Sequence, residues 1–178
     1  MKQTIIRYGL ISGVISSALM TATSLIGKYI IEKHGGLKQF FDNGAYLGFT
    51  CIILSLTLVF IAIKTYRDQQ NDGRITFGKA FLIGISVTAI SCTCYALTWL
   101  IFYYNVFPTF MEDYAVYQLQ KMKEEGATAA TLAKQAIEMR SFNEKYQNPL
   151  FNFGLTFMEP FPVGLLMTAV SALLLKKK

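Results

Sequence analysis

Four stretches of this sequence run for twenty residues or more with almost no charge. They are Tyr8–Gly27, Gly44–Ile63, the apolar stretch between Lys79 and Glu112, and Phe151–Leu175. About 20 apolar residues suffice for a helix to cross a bilayer. Inside lipid every backbone N–H and C=O must be satisfied within the segment, so a run of this kind can only become a helix. The sequence therefore predicts an all-α, integral membrane four-helix bundle. The expected spans are residues 5–31, 44–63, 77–104 and 151–175. A helical hairpin over 109–147 is inserted between spans three and four, within the sizeable polar segment 105–150.

Charge placement fits this reading. The net charge of +6 suggests a nucleic-acid partner only until the basic residues are located. Most lie beside the ends of the apolar runs, which is the pattern of membrane topology and not of a phosphate-binding face. Nucleic acid is thereby excluded as an expected partner. Of the 17 Lys and Arg, nine fall on the side of the termini and eight on the other. Short connectors and charges close to the spans dominate topology. The N-terminal tail, the Lys64–Lys79 connector and Lys176-Lys177-Lys178 all lie on one side. Both termini are thus predicted in the cytoplasm and the hairpin outside. Met1-Lys2 and Arg7 resemble the start of a signal peptide, but the uncharged run that follows is longer than the usual apolar region. A retained first helix is the expectation.

Small residues recur at helical spacing. Gly9, Gly13, Ser17 and Thr21 form one ridge in the first span. Ala80, Gly84, Thr88, Cys92 and Ala96 form another in the third. Small residues let helix backbones approach closely in lipid. Gly9-x-x-x-Gly13 can serve packing within the bundle or a homodimer face. Gly44 and Gly48 repeat the spacing at the outer end of the second span. Thr76 is a candidate N-cap for the third span. Thr109-Phe-Met-Glu112 reads as a capping box and Thr128 as the cap of the hairpin's second helix. Met111, Ala115, Leu119 and Met122 mark one apolar stripe, and Leu132, Ala136, Met139, Phe142 and Tyr146 the other. Tyr95, Trp99, Phe102, Tyr103, Tyr104 and Phe107 form an aromatic block expected at the headgroup level.

The fourth span is the unusual one. It carries Glu159 between apolar neighbours and two prolines, Pro160 and Pro162, followed by Gly164. Two prolines remove two backbone donors and bend or break a helix. An acid at this depth costs a few kcal/mol on insertion scales unless it faces protein or water. Glu159 admits a functional reading, a carboxylate in a cavity binding a cation, a proton or a lipid headgroup. It also admits a structural one, an acid bonded to hydroxyls or to a basic side chain. Arg7 and Lys79 lie on the opposite side of the membrane, so pairing with either would require unusual reach. Lys79, early in the third span, suits an anionic lipid headgroup at a helix N-terminus or simple snorkelling.

No catalytic set is visible. The lone His34 sits in a polar connector, and Cys51, Cys92 and Cys94 lack metal or redox spacing. No metal and no cofactor are expected, and the chain is not expected to be an enzyme.

Several short motifs resemble one family throughout the chain. They are Arg7-Tyr-Gly, Phe41-Asp-Asn-Gly44, Tyr66-Arg67-Asp68, Ile75-Thr-Phe-Gly-Lys79-Ala-Phe81, Asn148-Pro-Leu, and Glu159 with Pro162-x-Gly164. In order and spacing the chain resembles small bacterial inner-membrane proteins classed only as a domain of unknown function. The resemblance implies a four-span membrane protein of bacteria with two membranes, and no activity. The leading expectation is an accessory or scaffold protein acting through helix contacts with the bilayer, another membrane protein or a second copy. The alternative is a small oligomeric transporter or lipid-binding protein using Glu159.

Overall fold

A computed structural model describes residues 1–177, apart from the side chain of Ala45. Lys178 of the basic tail lies outside the described residues. The described residues form seven helices: α1 Lys2–His34, α2 Leu37–Gln70, α3 Phe77–Asn105, α4 Phe110–Glu124, α5 Ala129–Tyr146, α6 Pro149–Met158 and α7 Phe161–Leu175. Four spans are long and apolar enough to cross a membrane: α1, α2, α3 and the α6–α7 pair. The chain is an all-α membrane protein.

The first two helices overrun their apolar runs. The connector expected between the spans 5–31 and 44–63 shrinks to Gly35-Gly36. Once nucleated, a helix extends at little cost through residues such as Lys28 and Glu32, whose side chains pair at 3.7 Å. It stops where Gly35 takes a left-handed φ of 62° and returns its N–H to the carbonyls of Ile30 and Ile31.

The spans pack as a four-sided bundle in which α1 and α7 each contact both α2 and α3. Its surface is greasy, with Val14, Ile26, Leu54, Leu166 and Leu174 exposed, while Ser12, Ser55, Thr88, Ser91 and Thr168 are buried. That inversion suits lipid, where apolar burial gives no drive and interior hydroxyls bond across helices. Ser12 Oγ donates to the Ser55 carbonyl at 2.8 Å and lies 3.0 Å from Ser91 Oγ.

The small-residue ridges are used for packing between spans. A Cβ on Gly9 would stand 2.8 Å from Ile90 Cβ, and one on Gly13 2.7 Å from Cys94 Cβ. Thr98 Oγ1 donates to Ser17 Oγ at 3.0 Å. Gly9-x-x-x-Gly13 is therefore occupied inside the bundle by α3 and is not open to a second copy. Gly84 faces Thr168, and Gly164 faces Thr88. The α3 and α7 backbones thus interlock, each supplying a glycine for the other's threonine.

One end of the bundle holds both termini. Ile75 and Lys177 exchange backbone hydrogen bonds of 2.9 Å, tying the chain's end to the α2–α3 loop. The other end carries the hairpin. There α4 docks on α2, with Phe41 against Phe110 and stacked on Tyr117 at a centroid distance of 5.2 Å. Lys38 and Glu124 pair at 2.5 Å. By contrast α5 is anchored by one buried residue, Tyr146, and leaves the rest of its length half-buried or exposed.

Two of the three threonine caps form as expected. Thr76 accepts from Lys79 N at 3.4 Å and Thr128 from Thr131 N at 3.2 Å. Thr109 does not close a capping box. Its backbone is already helical, whereas an N-cap hydroxyl reaches the first turn from extended geometry. Its hydroxyl donates instead to Asp113 Oδ2 at 3.1 Å.

Candidate functional site

The fourth span is kinked and not unwound. Glu159 and Pro160 join α6 to α7 with helical dihedrals, φ −64° and −80° respectively. Pro160 and Pro162 donate no N–H, so the carbonyls one turn before them lose their partners and the helix bends. Pro162 falls in the first turn of α7, where a missing donor is tolerated. Gly164 restores the ladder by donating to the Pro160 carbonyl at 3.0 Å.

The bend changes which helices touch. Below it α7 packs on α2 and α3, whereas above it α6 packs on α3 and α5. The half of α2 nearer the hairpin therefore does not have α6 packed against it. Its inward face runs Gly44, Gly48, Ile52, Ser55 and Val59 at helical spacing. From Ile52 downward that face is buried. At Gly48 a Cβ would find nothing within 4 Å, and at Gly44 it would find only Phe40 at 3.9 Å. The same face is packed below the kink and open above it. Open space over Gly48 and the lack of packing between α2 and α6 together imply a lateral groove between the two helices.

Glu159 lies at the foot of this groove. Sixteen residues separate it from Leu175, so it stands roughly 24 Å from the terminal end, inside a hydrocarbon layer about 30 Å thick. It is exposed on the bundle's perimeter. Its one hydrogen-bond partner is the Tyr95 hydroxyl, which donates to Oε2 at a long 3.4 Å. Pro160, next in sequence, is buried and closes a narrow void with Ser16, Ser55, Ser91 and Tyr95 that has no room for a water molecule.

A polar ladder climbs from Glu159 toward the hairpin. Asn152, Thr156 and Glu159 share one side of α6 at i, i+4 and i+7. Thr156 Oγ1 donates to Asn152 Oδ1 at 3.2 Å. The Thr156 hydroxyl also faces that of Tyr146, which accepts from Trp99 Nε1 at 2.8 Å. Asn152 is fully buried, and its Nδ2 has no partner among the described residues. The amide donor is thus left unpaired in the interior, whereas the exposed carboxylate below it is free to meet a cation or a donor.

The sequence-derived residues separate into distinct places. Glu159, Pro160, Pro162 and Gly164 come together at the kink. Gly9, Gly13, Ser17, Gly84 and Thr88 are interior packing positions. Lys79 is at the opposite end, exposed, with no side-chain partner among the described residues. Tyr95, Asn152, Thr156 and the Trp99–Tyr146 pair join the site although sequence reasoning assigned them no such place. The i, i+4, i+7 spacing of Asn152, Thr156 and Glu159 was the signal that could have found the ladder. Among the described residues no group of three or more His, Cys, Asp or Glu can hold a metal.

Comparison with curated proteins and with solved structures returns no match. A family model does match, over residues 7–177, which is nearly the whole chain. By this match the chain, with its four apolar spans, belongs to the family described as "Protein of unknown function (DUF4199)".

Proposed function

We propose that the protein is an accessory, scaffold-type component of a bacterial inner membrane that receives a transmembrane helix of another membrane protein in the groove between α2 and α6. Both termini lie in the cytoplasm and the hairpin lies outside. The protein is not an enzyme in this reading. The observation that carries it is the open space over Gly48 on a helix face that is otherwise buried. A glycine wall is what a helix needs for close approach in lipid. The exposed carboxylate of Glu159 supplies a polar contact that an acyl chain has no use for. Left facing lipid it costs a few kcal/mol, and a donor on the incoming helix removes that cost.

Purification in mild detergent followed by mass spectrometry of bound proteins tests the proposal. Gly48→Leu fills the groove without meeting any neighbour, so its thermal unfolding is expected to match that of the wild type. The co-purifying membrane protein is expected to be lost from it and reduced with Glu159→Gln. Identical partners for the wild type and Gly48→Leu would overturn the reading. So would recovery of only further copies of this chain.

A second reading rests on one specific observation. Glu159 has a single, long hydrogen bond, which leaves capacity for a cation, a proton or a lipid amine. In that case a small oligomeric transporter or lipid-binding protein would use this carboxylate. Loss of a cation- or proton-coupled flux in Glu159→Gln, with complexes intact, would favour it over the scaffold.

A further inference from the structure

A polar cleft lies at the end of the bundle away from Glu159. The first two turns of α1 and the last of α2 enclose a cleft of about 310 Å³. Two bonds form its base: Gln70 Nε2 donates to Thr4 Oγ1 at 2.8 Å, and the Tyr8 and Thr65 hydroxyls meet at 3.1 Å. Three other lining side chains, Gln3, Arg7 and Gln69, have no hydrogen-bond or ion-pair partner among the described residues, and no acid lines the cleft. The cleft therefore presents a guanidinium and two amides, with no carboxylate to neutralise the charge.

Position narrows the chemistry. Arg7 immediately precedes the uncharged run that begins at Tyr8, which sets its guanidinium at the boundary between hydrocarbon and headgroups. A guanidinium offers a planar fork of donors that matches a phosphate in bidentate fashion. A volume of this size falls at the lower end of small-ligand sites. Lys79 carries a similar charge near the same end but does not line the cleft.

We propose that the Arg7 cleft is a phosphate-binding site, with Arg7 as the bidentate donor and Gln3 and Gln69 as flanking donors. The group it takes is a lipid phosphodiester or a free phosphate. The site is independent of the α2–α6 groove and of any partner helix there.

The test uses the purified, delipidated full chain in mild detergent. Native mass spectrometry reads retention of phosphatidylglycerol against diacylglycerol, and thermal unfolding reads stabilisation by inorganic phosphate. The variants are Arg7→Gln, Gln69→Leu and, as a charge control, Lys79→Gln. The wild type is expected to retain phosphatidylglycerol and not diacylglycerol. Affinity should fall about tenfold in Arg7→Gln, the scale of one lost charge-assisted pair. It should fall less in Gln69→Leu and stay unchanged in Lys79→Gln. Phosphatidylglycerol binding without stabilisation by phosphate identifies a lipid site, and Arg7-dependent stabilisation by phosphate identifies a site for the free ion. Equal binding of both probes by the wild type and Arg7→Gln, or an equal loss in Lys79→Gln, would overturn the proposal.

Discussion

A hydroxyl buried between helices either finds a partner or costs stability, and Tyr146 shows what one such group holds. It is the only buried residue of α5, and it accepts from Trp99 Nε1 at 2.8 Å. Removing it leaves the indole N–H of a mostly buried tryptophan without its acceptor. Tyr146→Phe is expected to cost about 1 kcal/mol, the usual net worth of such a bond in water and in lipid. Thermal unfolding in detergent measures it. The change should also loosen α5 selectively, because no other residue of that helix is buried. Tyr95 differs at the same scale. Its bond to Glu159 is long, so its phenol orients the carboxylate more than it stabilises the fold.

Among elements, α3 and α7 fit closely on both sides of their contact. A Cβ on Gly164 would overlap Thr88 Cγ2, and one on Gly84 would lie 2.7 Å from Thr168 Cγ2. Gly164→Ala is therefore expected to cost about 1–3 kcal/mol of stability through overpacking. Thr88→Ala in the same chain removes the colliding methyl and should recover part of the loss. Thermal unfolding of the two single variants and the double variant closes the cycle. Much of this architecture was legible in the sequence. Length and lack of charge mark the spans, and two prolines mark the bend. What was not legible is which ridge becomes filled. Gly9-x-x-x-Gly13 and Gly44-x-x-x-Gly48 have the same spacing and opposite fates, one under α3 and the other open. Neighbour choice is decided by packing between distant parts of the chain, which spacing does not encode. Tyr95 was hidden for a related reason. In sequence, a tyrosine anchored at the headgroups looks the same as one that bonds an acid on a neighbouring span.

Across the whole molecule, the hairpin is held by few ties, and one of them titrates. The Tyr117 hydroxyl donates to Asp42 Oδ1 at 2.5 Å, and this bond raises its pKa above the ordinary value near 10. Lys121, over the Tyr117 ring at 5.8 Å, pulls the other way. Because the folded pKa is raised, the tie is fully present below pH 10 and is lost as pH rises through the raised value. A phenolate would then face the Asp42 carboxylate. Hydrogen exchange of α4 is expected to accelerate as pH rises above about 10, beyond the intrinsic rise, in the wild type and not in Tyr117→Phe. The Lys38–Glu124 pair is exposed and adds little to this docking.

The glycine–threonine interlock has a consequence for biosynthesis. The ribosome completes α3 some 56 residues before it reaches Phe161, a gap of roughly 3–10 s at ordinary elongation rates. Throughout that interval the first three spans sit in the bilayer with Gly84 and Thr88 unopposed. Thr88 also awaits the Gly164 carbonyl and the Thr168 hydroxyl, each 3.4 Å away in the finished protein. The nascent chain therefore passes through a stage in which a small, polar strip faces lipid or whatever insertion machinery shields it. The hairpin is made during that wait, ahead of the helix that completes the bundle.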